Sequence, residues 1–479
     1  MKMLRRHLLG LALAALLSAC TTQSPPGAST RIANSVSTNA TANSYPPIVF
    51  VHGNGDSAAL WQTTLWRFES NGWPRERLHA IDVPYPLARD DDSKPQPGRT
   101  STAEHMAYLK AEVDQVLQKT GASHVVLFGN SRGGNAIRHY VQNGGGDKTV
   151  SHAILGGTPN HGVWATKGFR EGNEFSGTGP FLSGLNAPKN AAGDEVTGPV
   201  KWMTIRSDNN DKFAQPDGLW IGAKGTPTNV TFAGPELKGA QNVVIARIDH
   251  RETSFSPAAF EAAYRFITGN APQTLAAKPE DRIELSGQVT GMGLLSQDPA
   301  SGNYVNNMPV ASADIAVYAI DLASGMRLGT AAYSAKVGTN GRWGPLFAQP
   351  GTAYEFVITA AGYATTHIYR SAFPRSSSIV HLRAERLTDA DKTTAGSQGS
   401  VVVFTRPRGY FDLSRDKVSF DGNPAPAGLP TTGAGLSQSK LVLQGSDVRR
   451  IHAEFNDEKL TGRTWPAAEN RVVLLEMTQ

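Results

Sequence analysis

The feature that most constrains how this chain can fold is a serine between glycines, at a junction of two hydrophobic patterns. The segment reads Gly129-Asn130-Ser131-Arg132-Gly133. It follows a continuous apolar run at 125–128 and leads into a helix-like pattern at 133–142. Glycines at these positions allow the close backbone approach of a sharp strand-to-helix turn, which predicts Ser131 as an exposed nucleophile. The alternative is a glycine-rich turn in which Ser131 only caps the helix.

The same alternation of apolar runs and helical patterns continues from 45 to about 272. Predicted strands lie at 47–51, 79–83, 124–128, 152–155, 200–205 and 242–248. Predicted helices lie at 58–70, 101–119, 133–142 and 257–267. This rhythm is typical of a mostly parallel sheet with helices on both faces. We therefore expect an α/β catalytic domain over 45–275.

The N-terminus predicts export. A basic start and an apolar run at 8–17 end in Leu17-Ser18-Ala19-Cys20, and the run is shorter than the about 20 residues of a membrane span. This spacing, with Cys20 as the sole cysteine, resembles the lipobox of bacterial lipoproteins. The resemblance implies a signal peptide at 1–20, a lipid on Cys20 and an outer-membrane or cell-surface lipoprotein. Ordinary cleavage near Ala19 would instead leave a periplasmic or secreted protein. The polar segment 21–44 is predicted to be a flexible tether.

The net charge of +5 does not indicate a nucleic-acid partner. Lys2, Arg5 and Arg6 lie in the predicted signal peptide, and no basic cluster with interleaved aromatics follows. The three aspartates at 90–92 are a poor calcium site, because Ca²⁺ needs about six to eight oxygens. No nucleotide fingerprint or zinc-ligand spacing occurs, so we expect no cofactor and no metal. We expect a monomer, although the sequence does not fix the oligomeric state.

After Ala276 the helical patterns give way to short alternating segments. Strand-like runs lie at 282–289, 315–321, 353–360, 400–405 and 440–444. Turn signals such as Asn340-Gly341 and Asp421-Gly422 separate them. The pattern predicts a β-sandwich-like module over 281–385, and either a second β module or its continuation over 386–479.

A nucleophilic serine needs a base and an acid, and the expected chain order is serine, acid, histidine. The histidines that follow both Ser131 and an acid-bearing loop are His250, His367, His381 and His452. His250 ends the last predicted strand of the α/β region, whereas the others fall in the β region, so His250 is the predicted base. Asp208 and Asp211, in the loop after the strand at 200–205, are both candidate acids. His52 and His161 are expected to be structural.

Stabilisation of an oxyanion requires donors from the residue after the nucleophile and from a loop after an early strand. The loop His52-Gly53-Asn54-Gly55 follows the strand at 47–51. The backbone N–H groups of Asn54 and Arg132 are therefore the predicted oxyanion donors.

Residues 47–267 resemble a secreted bacterial lipase of the α/β-hydrolase superfamily. The matching segments are His52-Gly53, 129–133, Gly157-Thr158-Pro159 and 242–250. The resemblance implies an α/β-hydrolase fold with a Ser-His-Asp triad. Many such lipases place a proline five residues beyond the acid, which fits Asp211 and Pro216, although the spacing from the preceding Ser207 is one residue longer. Asp211 is favoured, and Asp208 remains the alternative.

The segments 368–373 and 385–387 resemble an archaeal long-chain carboxylesterase with a C-terminal β lipid-binding domain. That esterase takes its acid from an earlier strand, whereas Asp208 and Asp211 both follow a later one. The sequence therefore departs from the esterase's pattern at the position of the acid. The resemblance implies hydrolysis of medium- or long-chain acyl esters, with an ester lipid as substrate. The glycine-rich insertion at 162–199 could then cover the site as a lid or acyl groove, with Phe169, Phe175, Phe181 and Leu182 as its apolar candidates. Aromatic side chains scattered through a loop are just as often packed against their own domain.

Two other functions fit the same pattern. A catalytic domain followed by a β module also suits a polyester depolymerase that acts on solid polyhydroxyalkanoate. The chain could instead be a non-catalytic surface-binding lipoprotein that keeps a hydrolase fold. Retention of a serine, a histidine and an acid in the expected order argues against this last reading.

Overall fold

The structure is a computed structural model that describes residues 45–215, 227–294, 303–433, 435–445 and 448–478. The predicted signal peptide with Cys20, the tether at 21–44 and Pro216 lie outside these residues. Within the described ranges, no helix is long and apolar enough to cross a membrane. Residues from Ser44 to the C-terminus belong to one compact unit.

The first half of this unit is built on a six-stranded parallel sheet. Its strands are β1 (Ile48–Val51), β2 (Leu78–Ala80), β3 (Val125–Asn130), β4 (Val150–Gly156), β5 (Lys201–Ser207) and β6 (Gln241–Ile245). They lie in the order β2-β1-β3-β4-β5-β6, and every neighbouring pair is parallel. The carboxyl ends of the strands therefore share one edge, where the loops that follow them meet.

Helices cover both faces of this sheet. They are α1 (Gln62–Ser70), α2 (Thr102–Thr120), α3 (Arg132–Asn143), α4 (Pro180–Leu185), α5 (Glu252–Phe255) and α6 (Pro257–Thr268). Val49 and Val51 of β1 point into the core with α2 and α3, whereas Ile48 and Phe50 point into the core with α1 and α6. A strand buried on both faces has to be apolar at every position, as 48–51 is.

Two strands are shorter than predicted, for identifiable reasons. The run at 79–83 leaves the sheet after Ala80, because the N–H of Val83 donates to Nε2 of His52 at 3.0 Å and Pro84 has no N–H. The run at 242–248 ends at Ile245, and Arg247 takes a positive φ of 62°. An extended strand cannot pass through that backbone conformation.

The second half of the unit is β-rich. Its strands are β7 (Ile283–Leu294), β8 (Asn303–Pro309), β9 (Asp314–Ile320), β10 (Tyr333–Lys336), β11 (Arg342–Ala348), β12 (Ala353–Thr359), β13 (Thr365–Arg370), β14 (Leu382–Ala384), β15 (Ser400–Thr405), β16 (Val418–Phe420), β17 (Gln438–Leu443), β18 (Arg450–Phe455), β19 (Glu458–Arg463) and β20 (Arg471–Glu476). The predicted α/β sheet followed by β-rich structure is confirmed.

One seven-stranded sheet, in the order β10-β9-β12-β13-β20-β15-β17, organises this β region. On one side it packs against the sheet formed by β11, β7, β14 and β8, and on the other against β16, β18 and β19. β13 pairs in parallel with β20, so strands from 281–385 and 386–479 share a single sheet. A helix that the β pattern did not predict, α7 (Asp389–Ala395), begins after Thr388, whose side chain accepts a hydrogen bond from Asp391 N.

The α/β part and the β region share a buried interface. Trp66 of α1 belongs to the apolar core of the β region and donates its indole N–H to Ser376 O at 2.9 Å. Its ring lies edge-on to Phe373, with centroids 6.4 Å apart. His381 Nε2 lies 2.7 Å from an oxygen of Asp82. These contacts fix the β region beside the loops at the carboxyl edge of the parallel sheet.

Candidate active site

Ser131 lies on a strained turn between β3 and α3. Its φ of 53° and ψ of −122° are rare for a residue with a side chain. Gly129 and Gly133 make the turn possible. A Cβ at Gly129 would lie 2.8 Å from the backbone of Gly133, and one at Gly133 would collide with the carbonyl oxygen of Val51. The surrounding packing thus holds the serine in a conformation that projects it from the edge of the sheet.

His250 and Asp211 form a buried pair. The Nδ1–H of His250 donates to the Asp211 carboxylate, at 2.9 Å from each oxygen. Asp211 also accepts from the backbone N–H groups of Phe213 and Ala214, at 2.9 and 2.8 Å, and is fully buried. The carbonyl oxygen of His250 accepts from Asn130 at 3.0 Å. The imidazole is therefore fixed with Nε2 as its free nitrogen.

Asp208, the alternative acid, lies elsewhere in the same loop. Its Oδ1 accepts from the N–H of Arg247 at 2.7 Å. This bond braces the positive-φ turn that follows β6. The structure brings Asp211, and not Asp208, to the histidine.

A cavity of about 330 Å³ joins the predicted site residues. Ser131, His250 and Asn54 all line it. Neither backbone N–H of Asn54 and Arg132 has an acceptor among the described residues, whereas the Asn54 side chain accepts from Ala88 N at 2.8 Å. Arg132 begins α3, and the first N–H groups of a helix have no partner within it. Both N–H groups are thus available to donate hydrogen bonds to a ligand bound beside the serine.

The side chain of Arg132 connects the nucleophile turn to two loops, the segment at 86–100 and the insertion at 162–199. It forms a two-pronged ion pair with Glu174, with both N–O distances 2.8 Å, and donates to Pro86 O and Thr100 O at 2.9 and 2.7 Å. Burial raises the pKa of Glu174, and the Arg132 charge opposes this. Sequence reasoning missed Glu174, because a glutamate in an irregular loop carries no periodic signal.

Apolar side chains form part of the cavity wall, beside charged residues that include Asp56, Asp90 and Arg99. Its large apolar residues are Val163, Trp164, Phe175, Phe213 and Tyr410. Of the four residues predicted for a lid or acyl groove, Phe175 lines the cavity. The other three are not in its lining: Phe169 packs on Trp164, Phe181 packs on His139, and Leu182 is buried in the interior. Spacing in an irregular segment does not tell which side chains face the cavity, and the role of the insertion as a lid stays a prediction.

The β region reaches the site through the loop after β15. Tyr410 stacks near Phe213, with centroids 5.4 Å apart, and Phe213 lies 5.0 Å from the ring of His250. The sequence pattern placed all candidate catalytic residues within 45–275 and did not indicate Tyr410. A contact between loops about 200 residues apart in the chain, such as that of Tyr410 with Phe213, leaves no trace in the local sequence pattern.

The same loop holds the residue next to His250. One oxygen of Asp249 accepts from Arg406 Nη1 at 2.9 Å and from the N–H of Tyr410 at 2.7 Å. Arg406 also binds Glu252 of α5 at 2.5 Å. Burial and the neighbouring Glu252 charge raise the pKa of Asp249, and Arg406 opposes this. We call this set, Asp249, Glu252, Arg406 and Tyr410, the histidine-loop clamp.

The remaining candidates lie outside the cavity lining. His52 accepts from Val83 N and lies against Gly53 O, and burial lowers its pKa. His161 pairs with Glu195 at 2.8 Å, and this bond raises the pKa of the histidine. In the described parts of the chain, no group of three or more His, Cys, Asp or Glu side chains is placed to hold a metal ion.

Comparison with known families agrees with this architecture. Residues 46–171 match the family described as the alpha/beta hydrolase fold, and residues 281–387 match the lipase C-terminal domain. The chain thus has an α/β-hydrolase fold with a C-terminal domain of the kind found in lipases. The second match spans β7 to β14 and ends before the rest of the seven-stranded sheet.

Solved structures with detectable similarity include Aspergillus fumigatus lipase B, at 14% identity and a TM-score of 0.36 over 49% of this chain. The chain spans about half of that protein, 54% of its length. Bacillus licheniformis lipase BlEst2 is similar in its mature form at 20% identity and a TM-score of 0.33, over 47% of this chain and 92% of that one. Its propeptide form is similar at 14% identity and a TM-score of 0.33, over 88% and 92%.

Proposed function

We propose that this protein hydrolyses carboxylic esters with medium or long acyl chains through a Ser-His-Asp acyl-enzyme mechanism. One observation carries the proposal: a serine on a strained turn shares a cavity with a histidine that a buried aspartate orients. The backbone N–H groups of Asn54, which lines the same cavity, and of Arg132, the residue after the serine, have no acceptor among the described residues. A structural serine in a glycine-rich turn would need none of these arrangements.

The chemistry follows from the positions of the groups. Nε2 of His250 accepts the Ser131 proton as Oγ attacks the ester carbonyl, and Asp211 stabilises the imidazolium that forms. The N–H groups of Asn54 and Arg132 stabilise the oxyanion. The imidazolium then gives its proton to the departing alcohol, which leaves an acyl-enzyme. Water, activated by His250, releases the acid in the second half of the reaction.

The preference for longer acyl chains rests on the cavity walls. Val163, Trp164, Phe175, Phe213 and Tyr410 offer an apolar surface beside the serine. Burying an alkyl chain there stabilises the bound ester by about 0.8 kcal/mol per CH₂. The match of 281–387 to a lipase C-terminal domain supports the same substrate class.

The test is substitution of the nucleophile. Ser131→Ala should reduce hydrolysis of p-nitrophenyl octanoate below about 1% of the native rate and abolish labelling by a fluorophosphonate probe, because the triad acts as a unit. Ser123→Ala, at an exposed serine, is the matched control and should keep both the hydrolysis rate and the fluorophosphonate labelling. Labelling that persists in Ser131→Ala would refute the assignment. Turnover of a triglyceride emulsion against polyhydroxyalkanoate film then separates a lipase from a polyester depolymerase.

We also propose that Cys20 carries a lipid that anchors the exported protein. The support is the sequence pattern at 17–20 and the single cysteine of the chain. Cys20→Ser should move the protein from the membrane fraction to the soluble fraction, measured by fractionation and immunoblotting. An unchanged membrane fraction would contradict the anchor.

A further inference from the structure

A second cavity, of about 430 Å³, lies where the α/β part meets the β region. Asp56 lines both this cavity and the catalytic one. Its volume is within the range of small-molecule sites, about 300–1,000 Å³. The catalytic mechanism uses none of the groups that line it, so its lining needs a separate explanation.

The cavity is lined by arginines, and most of them already have partners. Arg251 binds Asp56 at 2.5 Å, and Arg370 forms an ion pair with Glu476. Arg408 donates to the carbonyl oxygens of Met477 and Thr478, at 2.6 and 2.9 Å. These three guanidinium groups are therefore neutralised or hydrogen-bonded within the protein.

Arg383 differs from them. Its side chain lines the cavity, yet it makes no hydrogen bond or ion pair with any residue that the structure describes. Arginine stays protonated under all ordinary conditions, so the group is a cation that interacts with the carboxylates of Glu385, Asp56 and Glu476 only through space, without direct contact. Glu385, two residues further along the chain, lines the same cavity but does not pair with it. Burial raises the pKa of Glu385 to about 7, which leaves the Arg383 charge only partly balanced near neutral pH.

Apolar groups lie in the same cavity. They are Ala59, Leu60, Met292, Val305 and Leu474. A cavity with a guanidinium that no described residue contacts by a hydrogen bond, and with an apolar side, is complementary to an amphipathic anion. A carboxylate fits the planar guanidinium through two parallel hydrogen bonds.

We propose that this cavity is a binding site for a free fatty-acid anion, with the carboxylate on Arg383 and the alkyl chain against Leu60, Met292, Val305 and Leu474. The proposal rests on the proposed function only for the origin of the ligand, since ester hydrolysis would release such an acid. The site is separate from Ser131, so a product molecule held there would leave the catalytic cavity free.

The test measures binding of octanoate to the full chain by isothermal titration calorimetry. Arg383→Met should weaken binding about tenfold or more, because it removes a charge-assisted hydrogen-bonded contact. Arg383→Lys should weaken it less, since the charge remains but the planar fork is lost. Glu385→Gln removes a competing negative charge and should tighten binding. A folding defect cannot produce losses at one position and a gain at its neighbour, and circular dichroism confirms the fold of each variant.

Three further ligands test whether the cavity selects a fatty-acid anion. Acetate lacks the chain and octan-1-ol lacks the charge, so each should bind more weakly than octanoate. Inorganic phosphate binding as tightly as octanoate would overturn the fatty-acid assignment. Equal octanoate affinity in native protein and folded Arg383→Met, or no octanoate binding at all, would overturn the site. The assay needs no turnover, so its outcome is independent of the ester-hydrolysis experiment.

Discussion

At the residue scale, the contacts of Asp211 suit the role of a carboxylate that orients the imidazole of His250. Backbone N–H groups and the imidazole together surround it, which fixes its position. A carboxylate in that setting can hold one histidine tautomer and stabilise the imidazolium. Asp208 has no comparable contact, because its hydrogen bond is to the backbone of a turn.

Asp211→Asn should lower kcat for p-nitrophenyl octanoate by about 10³ to 10⁴, by analogy with loss of a triad carboxylate. Asp208→Asn is the matched control, one turn away in the same loop, and should change kcat far less. Steady-state kinetics on both variants checks the ranking. The reverse order would show that the acid has been misassigned.

Much of this site could be predicted from the sequence, and the limits are physical. Ser131 and His250 each stand at the end of an apolar run, where a parallel sheet exposes functional groups, and the order of the chain restricts the base. The choice between Asp208 and Asp211 depended on loop conformation, for which sequence spacing is a weak guide. Glu174 and Tyr410 were not predictable, because each reaches the site through a tertiary contact only.

At the scale of secondary-structure elements, the histidine loop is held partly from outside its own domain. β6 ends at Ile245, and the residues that follow it fold back into α5, where the carbonyl oxygen of His250 accepts from Asn130 of β3. Arg406, after β15, adds a restraint from the β region through Asp249 and Glu252. The clamp thus positions His250 without touching the reacting atoms.

Arg406→Met should lower kcat about ten- to hundredfold with a smaller change in KM, because small displacements of a catalytic group are costly. The pH profile of kcat/KM should also move, since the electrostatic surroundings of His250 change. Arg406→Lys should restore part of the rate. Lys417→Ala, which breaks an exposed ion pair with Glu454, is the control and should be neutral. A loss of active protein with an unchanged pH profile would indicate a structural role only.

At the scale of the whole molecule, the two halves share cores rather than touching at a hinge. Trp66 of α1 is buried among side chains of the β region, and His381 meets Asp82. Pairing of β13 with β20 spans about 100 residues of sequence. Local hydrophobic patterns predicted individual strands such as Ser400–Thr405, but they contain no information on which distant strands pair. The sequence therefore could not show that strands before and after residue 385 belong to one sheet, and the structure was required to show it.

Removal of 281–479 should abolish activity on short- and long-chain esters alike. Truncation would expose Trp66 and remove both the clamp and the Tyr410 wall, so aggregation or loss of the His250 position is expected. Solubility, circular dichroism and hydrolysis of p-nitrophenyl butyrate measure this. Proteolytic nicking in the exposed segment at 270–280 is the control, because the fragments keep their contacts and should keep activity. A soluble truncated protein with native short-chain activity would contradict the expectation.

Tyr410 has a consequence for how such a protein can evolve. Because Tyr410 belongs to the β region and forms part of the wall of the cavity beside Ser131, the gene segment that encodes the β region also encodes part of the surroundings of that serine. Exchange of that segment between related genes would carry a piece of the cavity wall with it. Recombination at the junction near 280 therefore changes the β region and the cavity wall in a single event, and the two halves are inherited as one unit.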